Sequence, residues 1–256
     1  MANVIYEQPL SEAIRLCLRL EKLFHQLDDA LHGSKGMFSH FAMDALMEIL
    51  RVSDRPDLKS KMAQALTSQI TKFNQWLKNP QVDSSKLKNL ITDLEEYVSI
   101  LNDRHAKVGS ELREHPFLQA ISHHVVAPGG VCNHNVPMYQ LWLEQPYEVK
   151  ASCFEEWLVS VDLLKKIVVT LLKIVRNSYS FEKNIAKEGF FQIALNQAPS
   201  YSLIRVAVKP EHNYYAMISV GKHRLSVTFY SIDFDQSCSN LDRSYNDIEF
   251  YLATCC

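Results

Sequence analysis

Glycine and proline are scarce in this chain, 7 and 9 among 256 residues. That scarcity excludes collagen-like and low-complexity classes and leaves little material for a glycine-rich phosphate cradle. Cysteine is sparse as well, with six thiols and no Cys-x-x-Cys pair. Cys255 and Cys256 are adjacent, which makes a poor chelate, so the six are expected to be reduced and mostly apolar fillers. No sign of charge dominates: 27 basic side chains face 29 acidic ones, for a net charge of −2. A uniformly basic nucleic-acid binder and an acidic disordered tail are both excluded. Long hydrophobic runs are missing too. The most apolar stretch, Trp157 to Val175, is broken by Asp162, Lys165, Lys166 and Lys173, so it predicts a buried helix and no membrane insertion. The first residues lack the basic and apolar regions of a signal peptide, and a cytoplasmic protein is expected.

What is present is apolar periodicity, within a hydrophobic content of 47% that suffices for a packed core. Ser11 is placed to cap a long helix on which Leu16, Leu20, Leu23, Phe24, Leu27 and Leu31 share one face. Helical patterns continue over Ser39–Val52, Pro56–Lys78 and Ser84–Val108, with Pro56 as a first helical residue. Glu111–His124 reads as one shorter helix and Tyr139–Glu144 as another, separated by a Pro128-Gly129-Gly130 turn. Lys150–Asn177 follows as a helix apolar nearly all round, which suits the middle of a bundle.

After residue 178 the pattern changes to alternation. Seven of the 11 tyrosines lie in this last part. Ile204, Val206 and Val208 alternate with Arg205, and Leu225, Val227 and Phe229 with Arg224, Ser226, Thr228 and Tyr230. With Phe190–Leu195, Tyr214–Val220 and Ile248–Ala253 they predict an antiparallel meander of about five strands. Gly221-Lys222 marks a hairpin corner and Asp233–Asp247 a long polar loop. The fold class is therefore α+β, a helical bundle over residues 1–178 and a small antiparallel β-domain over 179–256. Val4–Tyr6, near the start of an extended segment over residues 3–8, is available to join that sheet.

Catalytic motifs are absent. There is no G-x-S-x-G, no H-E-x-x-H and no G-x-x-x-x-G-K-[ST], since Ala216 stands where the last motif needs its first glycine before Gly221-Lys222. His123, His124, Cys132 and His134 form the one cluster with metal-ligand chemistry, but their spacing matches no ligand frame. No catalytic residue, metal or cofactor is expected, and a metal-dependent enzyme built on that cluster is the alternative. Basic side chains are more informative. Arg15, Arg19 and Lys22 make a stripe on the first helix opposite its apolar face. Residues 179–232 carry six basic side chains (Lys183, Lys187, Arg205, Lys209, Lys222, Arg224) against three acidic ones, an excess of three. Alternation predicts Arg205, Lys209 and Arg224 on one polar sheet face with Lys222 at its corner, a dock for an acidic segment or phosphate. Tyr214, Tyr215 and Tyr230 would also suit nucleic acid, yet no ordered RNA-recognition motif accompanies them, and no nucleic-acid partner is expected.

These residues also resemble a family, the ZapD cell-division proteins. The likeness lies in Tyr6-Glu7-Gln8-Pro9-Leu10-Ser11-Glu12 with Arg15 and Leu18-Arg19-Leu20-Glu21, in Pro128-Gly129-Gly130 with Cys132, and in Pro137 with Leu141-Trp142-Leu143. It continues in Gly189-Phe190-Phe191-Gln192, Gly221-Lys222 and the terminal Cys255-Cys256, so it spans the chain in order. The resemblance implies a non-enzymatic homodimer without cofactors that works at the midcell division site. There it would bind the C-terminal conserved peptide of the tubulin-like GTPase FtsZ and bundle its filaments. Carried over by position, Arg19, Arg55 and Arg113 are implied as peptide contacts on the helical domain, and Lys222 and Arg224 on the β-domain hairpin. Arg205 is added from the basic sheet face, with Arg15, Lys22 and Lys209 as secondary candidates. Two departures stand out: Asp233–Asn246 is longer and more acidic than the family pattern, and Gln140 occupies a position where the family can carry a base.

Overall fold

A computed structural model describes residues 3–32, 38–79, 84–103, 109–126, 130–132, 134–195, 201–232 and 241–256. The chain is α+β: among the described residues a strand comes first, then eight α-helices, then seven strands with a short 3-10 turn at Pro210–His212. It forms two compact units, one of Leu16–Leu171 and one of Met1–Arg15 with Leu172–Cys256. The unit that holds the strands thus takes in the N-terminal segment and the last turns of the long helix as well as the residues after 178.

The helical unit is built from α1 (Glu12–His32), α2 (Phe38–Ser53), α3 (Leu58–Trp76), α4 (Ser84–Asn102), α5 (Ser110–Glu114), α6 (Pro116–Val125), α7 (Pro137–Leu143) and α8 (Tyr147–Asn177). Ser11 Oγ accepts the Ile14 N–H at 3.3 Å, which is the expected N-cap of α1. Leu16, Leu20, Phe24 and Leu27 on its apolar face are buried. Three helix boundaries differ from the periodic pattern. Pro56 lies in a turn ahead of α3 and is not its first residue; Asp57 occupies the N-cap position. Glu111–His124 is two helices, because Pro116 holds His115 extended (ψ 118°) and restarts the chain as the first residue of α6. α4 ends at Asn102, and residues 104–108 lie outside the described residues, as do 127–129 of the Pro-Gly-Gly turn.

Around α6, α7 and α8 an aromatic cluster fills the core. Trp142 lies 5.7 Å from Phe117 and from Phe154, and Phe117 stacks on Trp157 at 5.9 Å. The central segment with Pro137 and Trp142 is therefore packing material, with Tyr139 and Trp142 buried. Trp157, Val161, Leu164, Val168 and Leu171 of α8 are buried as expected, but α8 is not enclosed on all sides: Val159 is 76% and Val169 50% exposed. Cys17 is buried in α1, and burial first, then the Glu21 charge, pushes its thiol up to about 12. In the native protein at pH 8, iodoacetamide should therefore modify half-buried Cys153 and leave Cys17 protonated and unlabelled. Peptide mass spectrometry checks this, and equal labelling of the two would contradict it.

The β unit is a two-sheet sandwich, which corrects the expected single meander. Its strands are β1 (Val4–Pro9), β2 (Glu182–Ala186), β3 (Phe190–Ala194), β4 (Leu203–Val208), β5 (Tyr214–Val220), β6 (Arg224–Ile232), β7 (Leu241–Arg243) and β8 (Ile248–Cys255). One sheet has the order β1-β4-β8-β2 and the other β3-β6-β5, with β7 also paired to β6. β7 falls inside the segment expected to be a loop, Asp233–Asp247; residues 233–240 lie outside the described residues. Val4 pairs with Val208 and Pro9 with Leu203, so the N-terminal segment is an edge strand of the first sheet. Between the sheets pack Ile204, Val206, Phe250 and Leu252 from the first and Leu225, Val227 and Phe229 from the second. Phe229 and Phe250 meet at 5.1 Å. The chain passes between sheets at Glu188-Gly189, both at positive φ (49° and 70°), a tight corner suited to glycine.

Candidate partner-binding surfaces

The sequence-predicted basic residues fall on different structures, and their counter-ions divide them. On the helical unit, Arg19 and Lys22 of α1 are exposed and carry no ion pair among the described residues. Arg15, at the edge of the β unit, is instead paired with Glu12 one turn before it. Arg55 sits in the α2–α3 connection, where its Nε and Nη2 each donate to Asp57 at 3.2 Å. Asp57 also receives Lys61 Nζ at 2.8 Å. Hydrogen bonds from Arg55 and Lys61 lower the Asp57 pKa to about 2, so this small network is ionised at any neutral pH.

Arg113 of α5 lies beside the same connection, its Nη1 3.5 Å from Asp54 Oδ1. The fold thus brings Arg55 and Arg113, 58 positions apart in sequence, to one neighbourhood of the helical unit. Arg51, which the sequence reading missed, borders it too and pairs with Glu48 at 2.5 Å. A cavity of about 330 Å³ opens beside Arg51, Asp54 and Arg113, walled by Met47, Leu118, Val125 and Val126. The α5–α6 break at Pro116 is what turns these walls toward α2, and periodicity alone gave no sign of it.

On the β unit the expected single basic face does not exist. Arg205 is in β4 of the first sheet and Arg224 in β6 of the second. Arg205 is mostly buried, with 15% of its side chain exposed. Its Nε donates to Glu7 Oε1 at 2.9 Å, and its guanidinium lies 5.0 Å over the Phe181 ring. Arg176 grips the same carboxylate from Nε and Nη2 at 2.9 and 2.7 Å. Arg205 is therefore committed to holding β1 in place. Lys209 is exposed and lies 3.8 Å from Glu211. Lys222 and Arg224, at the β5–β6 corner, are exposed without an ion pair among the described residues.

Among the described residues no three His, Cys, Asp or Glu side chains come together to hold a metal. His123 and His134 are exposed and Cys132 half-buried, so the cluster drawn from the sequence does not assemble. No helix of the described residues is long and apolar enough to cross a membrane. What fold and surface define is an α+β protein with exposed cations on both its helical and its β unit.

Comparison with known proteins narrows this class. The ZapD model, described as a cell division protein, matches residues 18–228. Cell division protein ZapD of Coxiella burnetii (strain RSA 493 / Nine Mile phase I) is 40% identical over 253 residues, 99% of this chain and 98% of that one. The proteins of the same name from Shewanella sp. (strain MR-4) and Vibrio cholerae serotype O1 (strain M66-2) are 32% and 30% identical. They span 100% and 98% of this chain and the same shares of their own lengths. The chain belongs to the ZapD family of cell division proteins.

Proposed function

We propose that this protein is a non-enzymatic division factor that reads the C-terminal conserved peptide of FtsZ and, as a homodimer in the cytoplasm, cross-links FtsZ filaments at midcell. The observation that carries the reading is the set of exposed cations that carry no ion pair among the described residues, Arg19 and Lys22 on the helical unit and Lys222 and Arg224 on the β unit. An acidic tail can engage such groups without first displacing an internal partner. Arg55 and Arg113, already beside Asp57 and Asp54, would have to exchange carboxylates, so their contribution to peptide binding is smaller. A dimer with two equivalent sites can bridge filaments, and repetition of the tail along each filament turns weak single contacts into avidity.

Co-sedimentation with polymerised FtsZ tests this, using full-length FtsZ and FtsZ lacking its tail. Pelleting should require the tail and should fall steeply as salt rises to about 0.5 M, where the Debye length is only a few ångströms. Reversal of both Lys222 and Arg224 to Glu should reduce binding by roughly tenfold or more. Bundles that survive both the salt and the reversals would overturn the electrostatic basis, and pelleting without the tail would overturn the assignment of the peptide.

A further inference from the structure

We propose that the outer face of the β3-β6-β5 sheet seats an extended peptide with carboxylates toward its two ends and aliphatic side chains between, and that Arg243 is its second cationic anchor. The proposal rests on the FtsZ-tail reading above and specifies where on the β unit that tail lies.

The face follows from alternation. Leu225, Val227 and Phe229 of β6 are buried, so Arg224, Ser226, Thr228 and Tyr230 point outward. Register then fixes their neighbours, because directly paired residues share a face. Thr228 has Phe190 on one side and Met217 on the other; Tyr230 has Arg243 and Tyr215. Phe190 is 39% and Met217 56% exposed, large apolar groups on the outer strand face. Arg243 holds its guanidinium 5.8 Å over the Phe190 ring and 5.7 Å over that of Tyr245.

Charge on this face is of one sign. Lys222 and Arg224 stand at one end and Arg243 at the other, none paired with a carboxylate among the described residues, and no outward-pointing strand residue between them is acidic. The run from Arg224 to Tyr230, beside which Arg243 lies, is about 20 Å long at the usual rise per strand residue. That length matches six or seven extended residues, with a cation for each end and an apolar middle made by Met217, Thr228 and Phe190.

Single-stranded nucleic acid fits less well. Its bases need open ring faces on which to stack. Here Tyr215 and Tyr230 stack on each other at 5.4 Å with their planes 19° apart, and Arg243 lies over Phe190 and Tyr245. The half-buried rings and the thioether of Met217 are surfaces for aliphatic side chains.

The test is fluorescence anisotropy of a labelled synthetic peptide of the FtsZ C-terminal segment, titrated with the full-length chain. Arg243→Glu and Met217→Asp should each raise the Kd by roughly tenfold, while Arg243→Lys keeps most of the affinity. Unlabelled oligothymidylate should fail to displace the peptide. Wild-type affinity in both variants would overturn the sheet-face site while leaving the tail reading intact. No binding by the wild-type chain would overturn the tail reading itself, and displacement by the oligonucleotide would make the face a nucleic-acid surface instead. Should Arg243→Glu lower the melting temperature, Met217→Asp decides alone, since its half-exposed side chain lies on a different strand and outside the core.

Discussion

Replacing Gly189 by alanine should cost the β unit about 4 kcal/mol or more, a large share of the total stability of an ordinary protein. Two effects add. The residue sits at φ +70°, which costs an L side chain about 1–2 kcal/mol. A Cβ there would also overlap the Ser244 carbonyl oxygen and come within 2.8 Å of its carbon. Neither atom can swing aside, because this is backbone held in place by its own hydrogen bonds: Ser244 N–H donates to Phe229 O at 3.0 Å, and Gly189 N–H to Asn246 O at 2.8 Å. Relief would have to come from breaking the contact between the β2–β3 corner and the segment after β7. Gly130 provides the control. It has a similar φ of +66°, but nothing among the described residues lies within 4 Å of the Cβ it would gain, so Gly130→Ala should cost only about 1 kcal/mol. Urea unfolding followed by circular dichroism and tyrosine fluorescence measures both. Near-equal losses would mean that the corner can shift and that the close approach is not obligatory. The result also bears on the family: the Gly189-Phe190-Phe191-Gln192 likeness then reflects a steric demand of the sandwich, with Phe191 packed on Phe250 at 5.1 Å.

This corner shows what the sequence could and could not disclose. The α1 stripe from Leu16 to Leu27 was legible because a 3.6-residue period is a local property, and the buried side chains are the periodic ones. Strands β3, β4, β5 and β6 were legible for the same reason at period two. The sheet to which each strand belongs was not, because alternation is silent on partners. The order β1-β4-β8-β2 sets β1 beside a strand some 200 residues later in the chain, and nothing local to Glu7 announces Arg205. The split of Glu111–His124 could have been seen, since Pro116 forbids the helical conformation to His115. For the binding surfaces, the charges were visible and their pairing was not. Arg205 and Arg224 look alike in an alternating strand, yet one is spent on a half-buried carboxylate and the other is bare. Arg243 was hidden because β7 has only three residues, too short to show any period.

Glu7→Ala should destabilise the β unit by about 3 kcal/mol, far more than loss of an exposed ion pair. The carboxylate is 16% exposed and serves two guanidiniums, Arg176 near the end of α8 and Arg205 directly across the ladder from it. Removing it leaves two mostly desolvated cations side by side without their shared carboxylate. Arg205 keeps a long bond from Nη1 to Arg176 O at 3.4 Å and its place over Phe181. Exposed Lys183–Glu249, an outward pair between β2 and β8 at 2.7 Å, gives the scale for comparison: Glu249→Ala should shift the melting temperature far less than Glu7→Ala. The two differ also in salt dependence, since counter-ions screen the exposed pair and scarcely reach the other. The decisive variant removes all three charges. Glu7→Leu with Arg176→Met and Arg205→Met should recover most of the lost stability, because the penalty lies in unpaired buried charge and not in missing attraction. Melting curves of the single and triple variants settle it. A triple variant as unstable as Glu7→Ala would mean that the triad fixes β1 by geometry that apolar packing cannot replace. If the triple variant is stable and still pellets with FtsZ polymer, Arg205 is a residue of the fold, and the tail is read by the cations that remain exposed.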